Sequence, residues 1–179
     1  GQEVVNRIRQ GDRIERVEIL RVGSAARAFD ISQAGFDRAK EQLLASREER
    51  ARNARREALR TIERRWPDAI ETNAGMRYVV ERPGNGAKPE RGQTAVVRYT
   101  GSFLDGRVFD TTDGRGPFGF PVGVGRVIPG WDRAVMEMRV GGRRTVIIPP
   151  ELGYGERGAG GVIPPNAFLV FDIELIEIR

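Results

Sequence analysis

The chain of 179 residues contains no cysteine and no histidine. Without cysteine there is no disulfide, no thiolate nucleophile and no cysteine-held zinc. Without histidine there is no Ser-His-Asp relay and no imidazole metal ligand. Lysine is scarce as well: of 30 basic residues only Lys40 and Lys88 are not arginine. No apolar run approaches the roughly 18 residues that a bilayer span requires. No secretory leader is visible at residue 1, and contact with a membrane is not expected. The opening Gly1-Gln2-Glu3-Val4-Val5 reads as a cut inside a longer protein, and a cytoplasmic location is the expectation. Whatever chemistry occurs must use carboxylates, hydroxyls, amides, aromatic rings or shape.

What is present can still build a core. Apolar residues make up 39% and charged residues 31%, a balance of folded rather than disordered chains. The net charge is +5 and the isoelectric point about 10.3, a value raised by arginine replacing lysine and by the missing histidine. The basic residues are interspersed with acidic ones, so they read as a solvated surface, and no specific nucleic-acid recognition is expected.

Composition shifts near residue 75. Of 23 glycines 19 lie from Gly75 onward, as do nine of the 10 prolines, so the first part has few turns and the second many. Residues 1–10 read as a short helix ended by Gly11, and residues 14–22 as a strand. From Ser32 to Trp66 there is no proline, and one long helix is predicted with a charged centre and an apolar patch at each end. Asp30 and Gln33 have the spacing of a capping box, and Pro67 should stop the helix. Such a helix is either a self-association arm or a linker packed on its neighbour.

From Met76 the pattern is that of strands. Thr94–Phe103 reads as one. Asp105-Gly106 predicts a hairpin on a type I′ turn. Arg144–Ile148 reads as a strand stopped by Pro149-Pro150. Leu169, Phe171, Ile173 and Leu175 alternate with Val170, Asp172 and Glu174, so the first set should face a core. Trp131, Val135 and Met138 share one face of a short helix ended by Gly141-Gly142. The fold class is α+β: a twisted antiparallel sheet wrapped around one short helix and preceded by a long one.

Gly114–Gly119 matches the G-x-G-x-x-G dinucleotide pattern, but Pro117 and Pro121 interrupt the helix that pattern needs. Asp105, Asp110 and Asp113 lie close together, yet Asp105 belongs to the hairpin turn, and no metal or cofactor is expected. What remains is a set of apolar residues in loops beside glycine and proline: Phe118, Val127-Ile128, Tyr154 and Val162-Ile163. With Tyr99, Phe109, Trp131 and Phe171 they suggest the wall of a concave apolar pocket, with tyrosine hydroxyls as polar tips.

From about Thr72 to Arg179 the chain resembles the FK506-binding-protein type of peptidyl-prolyl isomerase. The resemblance is carried by Val97-Arg-Tyr-Thr-Gly101, Leu104-Asp-Gly-Arg-Val-Phe-Asp110, Pro117-Phe-Gly-Phe120, Val127-Ile-Pro-Gly-Trp131, Gly153-Tyr-Gly155, Gly161-Val-Ile-Pro-Pro165 and Leu169-Val-Phe-Asp172. It implies a sheet of five or six strands and a pocket floored by Trp131. Tyr99, Phe109, Asp110, Phe118, Val127, Ile128, Tyr154, Val162, Ile163 and Phe171 would line it. It also implies that the Ile128 N–H and the Tyr154 hydroxyl bond ligand carbonyls, with Asp110 at the rim. Proline-containing polypeptides would be substrates, and macrolides such as FK506 or rapamycin pocket ligands. Departures from the family pattern are Arg126, where many members carry an acidic residue or glutamine, and Ala159 at the rim. Arg126 is expected to matter little, and a shortened 113–116 stretch leaves Arg115 without an assigned role. Residues 1–23 resemble the closing helix and strand of a cyclophilin-type isomerase. The organisation expected is thus a remnant over 1–23, a linker and long helix over 24–71, and an isomerase domain over 72–179. A binding module or chaperone with negligible turnover is the alternative function.

Overall fold

The computed structural model describes Ser24, Asp30 and residues 32–179. The helix and strand expected over residues 1–22 lie outside the described residues. The chain divides into two compact units, 1–50 and 51–179. In the first unit, helix α1 (Gln33–Arg65) begins. Its cap differs from the expected box: Ser32 Oγ accepts from the Gly35 N–H at 3.1 Å, while Asp30 accepts from the Ser32 N–H at 2.9 Å. A hydroxyl one residue before the helix reaches the third helical N–H, which the more distant Asp30 does not. Phe36, Leu43 and Leu44 are exposed on this stretch.

In the second unit the last turns of α1 run to Arg65, and Pro67 follows, as proline's missing donor requires. The strands are β1 (Ile70–Glu71), β2 (Arg77–Arg82), β3 (Thr94–Phe103), β4 (Val108–Thr111), β5 (Phe118–Pro121), β6 (Arg143–Ile148) and β7 (Leu169–Ile178). They form one antiparallel sheet in the order β1-β2-β6-β7-β3-β4, with β5 also on β3. The two-residue β1 and the short β5 bring the count to seven, above the five or six expected.

Helix α2 (Pro129–Met136) packs across one face of this sheet. It ends before Met138: the N–H groups of Glu137 and Met138 bond the carbonyls three residues back, a tightened last turn. Met138 is nevertheless fully buried, so the apolar spacing found the core although not the helix end. Trp131, Ala134 and Val135 meet Val97, Val146, Ile148, Leu169, Phe171, Ile173 and Leu175 in the main core. The opposite face of β6 and β7 carries a second cluster, in which Ile62 of α1 packs with Ile147, Phe168 and Val170.

The β3–β4 connection is not a type I′ turn. Gly106 has φ +91° but Asp105 does not have positive φ, and the Gly106 N–H bonds the Phe103 carbonyl at 2.9 Å. The Asp105 carboxylate accepts from the Arg107 N–H, which favours the type I geometry followed by a left-handed glycine. One residue more in the loop shifts the β3–β4 register between Gly101 and Ser102. That bulge helps to place Phe109.

Candidate functional site

A cavity of about 440 Å³ opens over the N-terminal end of α2, a size suited to a small cyclic ligand group. Its lining residues are Tyr99 from β3, Phe109 and Asp110 from β4, Phe118 from β5, Arg126, Val127 and Ile128 from the loop before α2, Trp131 from α2, Tyr154, and Phe171 from β7. Seven separate segments thus converge, and each supplies one to three side chains.

Trp131 and Phe171 form the floor, 4% and 3% exposed. The Trp131 ring stands edge-on to Tyr99, with centroids 4.7 Å apart, and to Phe171, at 5.2 Å. Phe109 meets Phe171 edge-on at 5.6 Å. Such perpendicular contacts are favourable for aromatic quadrupoles and leave a ring face open. Phe109 reaches this position because the bulge leaves it between the Gly101–Asp110 and Ser102–Val108 pairs. Gly101 has to be glycine for a related reason. A Cβ there would lie 2.8 Å from both the Phe109 and the Phe171 rings.

Trp131 Nε1 is, among the described residues, the one buried side-chain polar atom without a hydrogen-bond partner. Leaving such a donor unpaired costs about 1–3 kcal/mol. Fold stability is conceded here in favour of an apolar floor.

The polar groups gather at one side. The Tyr99 hydroxyl donates to Asp110 Oδ2, and the Arg115 guanidinium donates to Asp110 Oδ1. Burial pushes the Tyr99 phenol far above its ordinary value, and its bond to Asp110 adds to that shift. Burial would raise Asp110, but the Tyr99 hydroxyl and the Arg115 guanidinium outweigh it and hold the carboxyl below the usual carboxylate range. Tyr154 is raised by burial and by the charge of Asp110. The carboxylate is therefore ionised and both phenols are neutral across the neutral range, so none of the three is poised to shuttle a proton there.

Two threonines and an aspartate hold the frame. Tyr99 N–H donates to Thr112 Oγ1 at 2.9 Å, and Thr111 Oγ1 donates to the Tyr99 carbonyl at 3.1 Å. Asp132, in the first turn of α2, accepts from the N–H groups of Gly123 and Gly125 at 2.9 and 2.7 Å. It thereby fixes the loop that delivers Arg126, Val127 and Ile128. Ile128 precedes α2, and its carbonyl accepts from Trp131 at 2.9 Å. Its own N–H finds no acceptor among the described residues.

Two of the residues expected in the wall stand outside this lining. Ile163 is buried in the main core, and Val162 is exposed. The Ala159–Ile163 bridge and the bonds between their backbones turn this loop into a small hairpin whose second side chain points inward. Arg126 is among the lining residues, and Arg115 has a defined role as the partner of Asp110. Gly101 and Asp132 were also not anticipated as site-shaping. A glycine in mid-strand and a carboxylate in a helix's first turn after two glycines were the available signals. Among the described residues no cluster of three or more acidic side chains is placed to hold a metal ion.

The chain is similar to known proteins in sequence and in fold. The family model described as FKBP-type peptidyl-prolyl cis-trans isomerase matches residues 85–176. The chain is 50% identical over 96 residues to peptidyl-prolyl cis-trans isomerase FKBP53 of Arabidopsis thaliana, covering 53% of this chain and 20% of that protein. It is 46% identical over 106 residues to FK506-binding protein 1 of Dictyostelium discoideum, covering 59% of this chain and 99% of that protein. The crystal structure of FkpA from Escherichia coli superposes with a TM-score of 0.67 at 34% identity, covering 82% of this chain and 69% of that one. The chain thus spans about a fifth of the first relative's length and nearly all of the second's. None of these comparisons supports the cyclophilin-type remnant read from residues 1–23, which lie outside the described residues.

Proposed function

The chain belongs to the FKBP-type peptidyl-prolyl cis-trans isomerases, and we propose that its aromatic cavity accelerates X-Pro rotation by desolvation and shape. The family match gives the activity of the domain; the mechanism, the substrates and the activity of any longer protein are our reading. Rotation about a peptide C–N bond is opposed by a barrier of about 18–20 kcal/mol, because resonance holds the amide planar. Resonance also separates charge onto oxygen and nitrogen, and water stabilises that separation. A twisted amide has lost it. Rings that exclude water therefore favour the twisted amide over the planar one, and only such differential stabilisation raises the rate.

In this reading the prolyl ring rests on Trp131 between Tyr99, Phe109 and Phe171. The free Ile128 N–H and the Tyr154 hydroxyl hold flanking carbonyls, so that one side of the bond is fixed while the other turns. Asp110, hydrogen-bonded by Tyr99 and charge-compensated by Arg115, keeps the rim in place. No bond forms or breaks and no proton moves, which suits a chain without histidine or cysteine. Substrates are proline-containing polypeptides, and macrolides such as FK506 occupy the same cavity. The observation that carries the proposal is the edge-on packing of Tyr99 and Phe171 around the buried Trp131 beneath an open cavity.

The test is isomerisation of a prolyl peptide followed by exchange NMR, with and without rapamycin. Turnover should exceed that in buffer, be suppressed by the macrolide, and fall about tenfold in Phe109→Ala. Macrolide binding without turnover would make the domain a proline-binding module instead. Self-association through the 32–66 helix rests on the exposed Phe36, Leu43 and Leu44 and is tested by light scattering.

A further inference from the structure

We propose that Arg126 makes this pocket selective for prolines flanked by an acidic residue. The inference rests on the isomerase reading above and concerns which substrates that pocket prefers. Two charged residues line the cavity, Asp110 and Arg126. They differ in what surrounds them. Both carboxylate oxygens of Asp110 are engaged, one by the Tyr99 hydroxyl and one by Arg115, whose charge cancels it. Arg126 is exposed and, among the described residues, takes part in no ion pair and no side-chain hydrogen bond. The carboxylate packed on the same loop, Asp132, faces the other way, onto the N–H groups of Gly123 and Gly125.

The rim therefore carries one uncompensated positive charge, and that charge sits on the residue directly before Val127-Ile128. A polypeptide laid with its proline over Trp131 brings its flanking side chains past this guanidinium. Arginine presents a planar fork of donors that fits a carboxylate, so an acidic neighbour gains a partner and a basic one is repelled. The site is open to solvent, which limits the effect. Exposed pairs of this kind change an equilibrium by up to about fivefold, and less as salt is added.

The experiment compares kcat/KM by exchange NMR for matched peptides with Glu, Gln or Lys immediately before or immediately after the proline, at low and high salt. The expected result is a Glu-over-Gln preference of about two- to fivefold in one of the two positions. It should shrink at high salt, be lost in Arg126→Gln and be reversed in Arg126→Glu. Equal rates for Glu and Gln in both positions, or a preference that survives Arg126→Gln, would overturn the inference while leaving the isomerase reading standing. Absence of turnover with every peptide would overturn both.

Discussion

The two faces of the sheet bury similar residues to opposite ends. On the inner face, Trp131, Phe171, Tyr99 and Phe109 meet at right angles and leave a hollow above them. On the outer face, Ile62, Ile147, Phe168 and Val170 form one buried cluster, with Leu59 and Trp66 packed around them. Rigid rings fixed edge-on cannot fold over to close the space they enclose, whereas on the outer face Ile62 of α1 covers the sheet residues. One face thus mainly supplies stability, and the other gives up some stability for an open apolar cup. The outer face also shows where burial ends. Past Val170 the outward positions become Asp172 and Glu174, paired with Arg143 and Arg82 rather than covered by α1.

Substitutions on each face should separate these roles. Trp131→Ala removes the floor itself. It should cost about 3–5 kcal/mol of stability by urea denaturation, and the fraction still folded should show no turnover above buffer. Ile62→Ala, on the outer face, should cost about 2–4 kcal/mol by the same titration yet leave kcat/KM of the folded protein unaltered. A loss of turnover there would mean that the two faces are not independent. Gly101→Ala tests the crowded wall between β4 and β7. A Cβ 2.8 Å from both rings forces Phe109 and Phe171 to shift, which should cost about 1–3 kcal/mol and should raise KM more than it lowers kcat.

The smallest effect concerns pH. Asp110 has a folded-state pKa below its ordinary value, so its contribution to stability is fully present above about pH 4 and is lost as pH falls below that. The raised phenols of Tyr99 and Tyr154 stay neutral beyond their ordinary range. Turnover should accordingly be flat from about pH 5 to 9, and Asp110→Asn should lessen the acid-side decline in thermal stability. A sigmoidal step near neutrality would contradict the absence of a proton shuttle.

Much of this was legible in the chain before folding. The strand over 94–103, the long proline-free helix ending before Pro67 and the inward alternation of Leu169, Phe171, Ile173 and Leu175 all follow from local spacing and turn chemistry. Val170 shows the limit. Alternation assigns it outward correctly, but that α1 covers it depends on Ile62, far away in sequence. The 162–163 pair shows another. Both residues are apolar and lie in a loop, and only the Ala159–Ile163 bridge decides that one enters the core while its neighbour faces solvent.

The sequence by itself excluded thiol and imidazole chemistry and determined which rings were available for a pocket. Those are matters of inventory and of short-range periodicity, which survive in an unfolded chain. Only the tertiary structure decided that Arg115 cancels Asp110, that Arg126 stands unpaired on the rim, and that Gly101 must stay bare for two rings to approach. Charge compensation and close packing are properties of distances between separate segments, and the register of β3 against β4 and β7 sets those distances.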